Sequence, residues 1–419
     1  MPPMKNPGKL AKDGGKPVRT APWPARIQIG NPEIKAVTAM LERCRDHGGA
    51  FDRYGGVEVD AYEKEFAKAY GCRFATSASS GTAAIHAALG ALQLDAGSEV
   101  ITNSITDTGA VAPIIWNNCI PVFADHDPET FQISPASVES LITDKTRAII
   151  CAHIAGCPCD LDAICRIGKK AGIPVIEDCA QAHGARWAGR PVGSIGVMGA
   201  FSLMSGKHTT AGGQGGMVTT NDEALYWNAK RFADRGKPFN SDAGSNLFLG
   251  LNYRMTELEA AIGRVQLART QKIADARRKV VAGIEERIAD LKAVSVVKRY
   301  RKAEPSYWFL LIAVDESRLK VTKADFAAAM RAEGIPCGAD YNAVVYKQRW
   351  ITERRVYGNT GCPWDCPLYG RRISYENINP GVDEAVKRHM MISVHECMKS
   401  RESRDIAAAL RKVEAAYLR

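Results

Sequence analysis

The chain has 419 residues, 46% hydrophobic and 24% charged, with a formal net charge of +10. That length exceeds what one core usually supports, so two domains are expected, in a composition ordinary for a globular protein. Much of the positive excess lies in the opening MPPMKNPGKLAKDGGKPVR, and elsewhere basic and acidic residues interleave along helical stretches, so no basic stripe with aromatics points to nucleic acid.

Residues 1–20 carry too little apolar surface to offset their ordering entropy and are expected to form a mobile arm. No apolar leader and no membrane-length run is present, which predicts a cytoplasmic protein with no membrane partner. The twelve cysteines then read as reduced, mostly buried thiols. Cys157/Cys159 and Cys362/Cys366 lack the paired spacing of a zinc site, so no metal is expected.

From about Pro32 apolar residues recur at three- and four-residue intervals in EIKAVTAMLERCRDHG and EVDAYEKEFAKAYGC, predicting two helices. After Cys72 short apolar runs alternate with helical stretches: RFATSAS with GTAAIHAALGAL, EVITNS with GAVAPIIWN, IPVFAD, RAIICAHIAG with LDAICRIGKKAG, IPVIEDCA, GAFSLM and GGMVTTND. This alternation predicts an α/β fold with a mostly parallel sheet sandwiched by helices, and ligands beyond the carboxyl ends of its strands. One long helical stretch, TELEAAIGRVQLARTQKIADARRKVVAGIEERIADL, follows. A new pattern beginning near Tyr307 and the final RDIAAALRKVEAAYL predict a smaller C-terminal α+β domain. The expected division is a large domain over 21–280 and a small one over 281–419.

Three segments carry chemistry. In SASSGTAAIHAALGAL a helix starts at Gly81 and Thr82, whose N–H groups can either bind an anion or sit in an ordinary N-cap. In IPVIEDCAQAHGA a strand delivers Glu177 and Asp178 to the sheet edge, followed by Gln181 and His183; Asp178 could pair with a protonated heterocycle. In GAFSLMSGKHTTAGGQGG, Ser202 ends an apolar run and Lys207 stands among Gly, Ser and Thr, either as a loop lysine or as a Schiff-base nucleophile. A phosphate cradle, an acid and an amine together are the grips that pyridoxal 5'-phosphate requires.

The ordered set SSGTAA, IEDCAQAHGA, FSLMSGK, GGQGG and GLNYRMTELEAAIGRVQL resembles the sugar aminotransferases of the DegT/DnrJ/StrS family, along nearly the whole chain. The resemblance implies a fold-type-I pyridoxal-phosphate enzyme. It implies that Lys207 carries the cofactor as a Schiff base, that Asp178 pairs with the pyridine nitrogen, and that Gln181 lies near the phenolic oxygen. Gly81, Thr82 and Ser202 match phosphate ligands, and Asn252 matches a residue that reaches the neighbouring subunit's phosphate, implying a homodimer with shared sites. The implied reaction moves an amino group from glutamate or glutamine to a keto-sugar, nucleotide-linked or free, or to a keto-cyclitol.

Several positions depart from the family pattern. Asp107 occupies the place of an aromatic residue that stacks on the cofactor ring, so either stacking is lost or Asp107 meets substrate. The loop after Lys207 is one residue longer, Gln214 replaces glutamate, and Ala155 and Cys157 replace tyrosine and glutamine. Arg231, Arg235 and Lys237 could bind an anion or simply form a solvated loop. Other readings are a sugar dehydratase of the same family, which carries histidine in place of the lysine and to which His208 is relevant, a non-catalytic sensory relative, and a metal hydrolase built on Asp178. Retention of Lys207 weighs against the first two, and the third lacks ligand spacing.

Overall fold

The computed structural model describes residues 8–54, 56–341 and 343–419. Seven strands build the larger sheet: β1 (Phe74–Ala78), β2 (Glu99–Asn103), β3 (Ile120–Ala124), β4 (Thr146–Ala152), β5 (Val175–Asp178), β6 (Met198–Ser202) and β7 (Gly216–Thr220). Their spatial order is β1-β7-β6-β5-β4-β2-β3. Only β7 runs against its neighbours; the pairs from β3 across to β6 are parallel. Every residue of Ile120–Ala124 and Met198–Ser202 is buried, so these strands read as unbroken apolar runs rather than an alternation. Successive residues still face opposite ways: Ile101, Ile149 and Phe201 enter one core, while Val100, Ile150 and Ala200 enter another.

Helices cover both faces. They include α1 (Asn31–His47), α2 (Val57–Tyr70), α3 (Gly81–Ala91), α4 (Thr108–Trp116), α5 (Leu161–Ala171) and α6 (Glu223–Phe232). Their starts follow ordinary capping chemistry: Ser80, Asp107, Asp160 and Asp222 each accept a backbone N–H of the first turn. The long helical stretch predicted after Thr256 is two helices, α7 (Glu257–Leu267) and α8 (Thr270–Ile288). The break falls where Gln266 and Arg269 turn aside to Gln28 and Glu33 of the N-terminal segment.

A four-stranded antiparallel sheet follows, with β8 (Val294–Val296), β9 (Leu310–Val314), β10 (Cys337–Gly338) and β11 (His389–Ile392) in the order β8-β9-β11-β10. It packs with α8, α9 (Lys323–Ala332) and α10 (Ser400–Tyr417). It also grips the edge of the larger sheet: Tyr369 donates to Glu99 Oε1 at 3.0 Å, and Asn379 donates to Ser104 Oγ at 2.6 Å.

The expected mobile arm is corrected in part. Residues 1–7 lie outside the described residues, but residues 8–20 are docked on the smaller domain. Leu10 is buried, and the N–H groups of Ala11 and Val18 donate to the Glu333 carboxylate at 2.9 and 3.0 Å. Lys412 pairs with the same carboxylate and donates to the Lys16 carbonyl. A buried anion therefore gives this polar segment the partners that its composition does not reveal. Among the described residues no helix is long and apolar enough to cross a membrane.

Candidate active site

The carboxyl ends of β1, β5 and β6 bring the predicted residues together. At the end of β1 the chain turns through Ser79 and Ser80 into α3, and Ser80 Oγ accepts the Ala83 N–H at 3.1 Å. Gly81 and Thr82 occupy the first two helical positions, so their N–H groups have no intrahelical acceptor and point outward with the positive end of the helix dipole. A Cβ on Gly81 would lie 2.5 Å from Ser202 Cβ and 2.8 Å from Ser202 Oγ, so the absence of a side chain lets α3 abut the end of β6. Two backbone donors and two hydroxyls, from Thr82 and Ser202, thus converge as an anion cradle.

Asp178 ends β5 and is 6% exposed. Its Oδ1 accepts the Ala180 N–H at 2.9 Å, and among the described residues it has no other hydrogen-bonded partner. Burial pushes its carboxyl above the ordinary range, with Ala180, Lys207 and His153 pulling it back. A buried carboxylate with unused acceptor capacity is suited to a cationic ring N–H.

Lys207 is 8% exposed, and among the described residues no carboxylate lies within ion-pair distance of its amine. Its Nζ lies 3.9 Å from the centroid of the Trp308 ring. Burial lowers its pKa, opposed by Asp178 and Asp107. This is the environment of a lysine that gives up its proton to act as a nucleophile. His183 supports the strand below: it hydrogen-bonds the Ser202 carbonyl through Nε2 at 2.8 Å, and Tyr70 and Thr209 meet Nδ1.

Gln181 is held from two sides. Its Oε1 accepts the Ala155 N–H at 2.8 Å, and its Nε2 donates to the Tyr341 hydroxyl at 3.0 Å. Ala155 has φ of 60°, and a Cβ on the next residue, Gly156, would come within 3.0 Å of Gln181, Tyr307 and Trp308 backbone atoms. The departure from tyrosine at position 155 therefore sits at a backbone crossing, where Ser306 and Trp308 donate to the Gly156 and Ala155 carbonyls. Tyr341 and Trp308 are site residues that sequence reasoning missed; an aromatic pair in SYWF offered no signal separable from core.

Other predicted residues fall elsewhere. Asp107 is exposed and caps α4 by accepting the Gly109 N–H at 2.7 Å, close enough to Lys207 and Asp178 to influence both electrostatically. Asn252 is exposed on the loop leading to α7, where its side-chain oxygen accepts the Arg254 N–H. His208 is buried, hydrogen-bonds the Ser306 carbonyl through Nε2, and is held neutral chiefly by burial. Arg231 is occupied by the Phe239 carbonyl, while Arg235 and Lys237 surround Tyr54. Gln214 is exposed, and Cys157 is buried.

His153, Glu177 and Cys179 lie close together beneath Asp178, in the manner of a metal site. The Glu177 carboxylate already accepts the N–H groups of Gly193, Ile195 and Gly196, each at 2.7 Å. It thus serves to fold the turn before β6.

Residues 29–411 match the DegT/DnrJ/EryC1/StrS aminotransferase family. The chain is similar to the putative L-glutamine:3-amino-2,3-dideoxy-scyllo-inosose aminotransferase of Streptoalloteichus tenebrarius, with 33% identity over 387 residues, 88% of this chain and 91% of that one. It is similar also to the GDP-perosamine synthase of Escherichia coli O157:H7, with 37% identity over 257 residues, 61% of this chain and 70% of that one. Among solved structures, an aminotransferase from Psychrobacter cryohalolentis superposes with a TM-score of 0.81 at 32% identity, covering 94% of this chain and 99% of that one.

Proposed function

The chain belongs to the DegT/DnrJ/EryC1/StrS aminotransferase family, and from that premise we propose that it aminates a ketone on a sugar or cyclitol ring, using glutamine or glutamate as donor and pyridoxal phosphate held at Lys207. The observation that carries this reading is the convergence of Lys207, Asp178 and the Gly81–Ser202 cradle at one sheet edge. The cradle fits a phosphate, the Asp178 carboxylate fits a pyridinium N–H, and the desolvated Lys207 amine fits an aldehyde.

When bound, the cofactor supplies an electron sink next to the substrate carbon that loses or gains a proton. The chain's own residues do the rest. Gly81, Thr82 and Ser202 bind the phosphate, and Asp178 keeps the ring nitrogen protonated. Gln181, fixed between Ala155 and Tyr341, is assigned to the phenolic oxygen. The Lys207 amine, once free, takes the proton from substrate carbon and returns it, a role that its lowered pKa favours near neutral pH. Trp308 and Tyr341 keep bulk water away from that amine.

The ketone class is supported by the names of the relatives, one acting on a cyclitol and one named for a nucleotide-linked amino sugar. We assign a homodimer in which Asn252 reaches the neighbouring subunit. Its flanking residues Leu247, Leu249 and Leu251 are exposed apolar side chains, Leu249 to 89%, as expected of a surface that a second copy covers. The free cysteines suit a reducing cytoplasm.

The test is transfer of isotopically labelled nitrogen from glutamine or glutamate to a panel of keto-cyclitols and keto-sugars, free and nucleotide-linked. Labelled amine in a cyclic product establishes the reading. Donor-independent loss of a ring hydroxyl with no nitrogen incorporated would assign the protein to dehydration instead.

A further inference from the structure

Lys207 is gripped from outside the cofactor pocket by a charged clamp made of residues far apart in the chain. Arg26, in the segment before α1, donates to three successive carbonyls: Gly206 at 3.2 Å, Lys207 at 2.6 Å and His208 at 3.2 Å. Gln28 adds a second donor to the Lys207 carbonyl at 2.9 Å. On the other side Arg277 of α8, 1% exposed, donates to the carbonyls of Tyr307 at 2.9 Å and Trp308 at 3.2 Å. Tyr307 needs such a hold, because its φ of 51° is unfavourable for a bulky residue.

One carboxylate joins the two arginines. Glu396 Oε1 accepts Arg26 Nε at 2.9 Å, while Oε2 accepts Arg277 Nε and Nη2 at 2.9 and 2.7 Å. The circuit closes at the amine. The Trp308 indole N–H donates to the Gly206 carbonyl at 3.0 Å, and the face of the same ring lies 3.9 Å from Lys207 Nζ. Every link is a charged or buried hydrogen bond, so the backbone that bears Lys207 and the ring that covers its amine cannot move independently.

We propose that Glu396, which touches no reacting atom, is the positioning residue of the Lys207 amine, fixing through Arg26 and Arg277 both the lysine's backbone and the indole that covers it. The proposal rests on the reading of Lys207 as the cofactor lysine. The groups facing the amine are Asp178 from β5, Asp107 at the start of α4 and the Trp308 ring. Those facing Glu396 are Arg26, Arg277, His395 and Cys397. Removing the Glu396 charge leaves two guanidinium groups uncompensated beside the lysine segment, which disfavours its ammonium.

The test compares Glu396→Gln, Arg26→Lys and the double variant. In apoenzyme, the pH midpoint for chemical acylation of Lys207, followed by peptide mass spectrometry, should fall by about half a unit or more in Glu396→Gln. In holoenzyme kcat should fall roughly 10- to 100-fold, as for a misplaced reacting group, with the donor KM within about threefold. The double variant should be no worse than about threefold below the poorer single variant, because both act through one circuit. Arg26→Lys keeps a cation but loses the fan of carbonyl contacts, so it reports on the clamp even if Glu396→Gln folds poorly. An unmoved acylation midpoint with unchanged kcat, or kcat losses that multiply in the double variant, would overturn the proposal. The apoenzyme midpoint answers independently of cofactor chemistry, so failure of the aminotransferase reading is distinguishable from failure of the clamp.

Discussion

Replacing Gly81 by alanine tests the phosphate cradle through a contact whose size is set by the structure. The new Cβ would meet Ser202 Cβ at 2.5 Å and Ser202 Cα at 3.0 Å, whereas carbon atoms pack at about 3.5–4.0 Å. Since Ser202 Cα belongs to a buried strand, the start of α3 must retreat, by about 1 Å. The N–H groups of Gly81 and Thr82 retreat with it, and a hydrogen bond stretched by about 1 Å is largely lost. Two bonds to a charged phosphate contribute about 1.5–3 kcal/mol each, so pyridoxal-phosphate affinity should fall by at least about 100-fold. Overpacking alone should cost the apoprotein about 1–3 kcal/mol. Equilibrium binding to apoenzyme by fluorescence and urea unfolding give the two numbers. Adding Ser202→Gly removes the Cβ and Oγ contacts, so the double variant should regain the urea midpoint of Ser202→Gly alone. Wild-type affinity and stability in Gly81→Ala would refute the cradle as described.

Three further outcomes follow from the same geometry. Asp178→Asn removes the charge facing the ring nitrogen, and kcat should fall by roughly two orders of magnitude, the scale of losing one electrostatic partner, while cofactor is still bound; turnover within about threefold of wild type would show that Asp178 holds no ring proton. Burial pulls His126 and His183 down to about 4 from an ordinary 6.5, so the unfolded chain binds the extra protons. Their stabilising contribution is complete above pH 6.5 and is lost as pH falls toward 4, at roughly 3 kcal/mol each in full; urea midpoints at pH 7, 5.5 and 4.5 should decline in wild type and more shallowly in His183→Gln. Asp107→Ala should lower stability by about 1 kcal/mol through loss of the α4 cap, and Asp107→Asn should restore it; equal urea midpoints for all three proteins would deny the capping role.

Much of the fold and the central site is legible in the sequence because both rest on local patterns. The larger sheet is recognisable because each strand is a short apolar run buried on both faces, and Asp178 and Ser202 stand where such runs end. Gly81 and Thr82 are legible because a small-residue turn opens a helix. What is not legible is contact between distant segments. Arg26 and Glu396 are 370 residues apart, and each looks like a solvated charge in its own neighbourhood. Residues 8–20 look like a tail because nothing near them in sequence announces Glu333 as their anchor. The aromatic expected at position 107 has no local substitute, since Trp308 approaches Lys207 from the segment before β9.

The claim on which the rest depends is that Lys207 carries the cofactor, and borohydride reduction of the purified holoenzyme followed by peptide mass spectrometry tests it most directly. The account predicts one pyridoxyl adduct, on the peptide containing Lys207, absent from Lys207→Ala together with the visible absorbance and the turnover. An adduct on any other lysine of the wild-type protein, or undiminished amino transfer by Lys207→Ala, would contradict it.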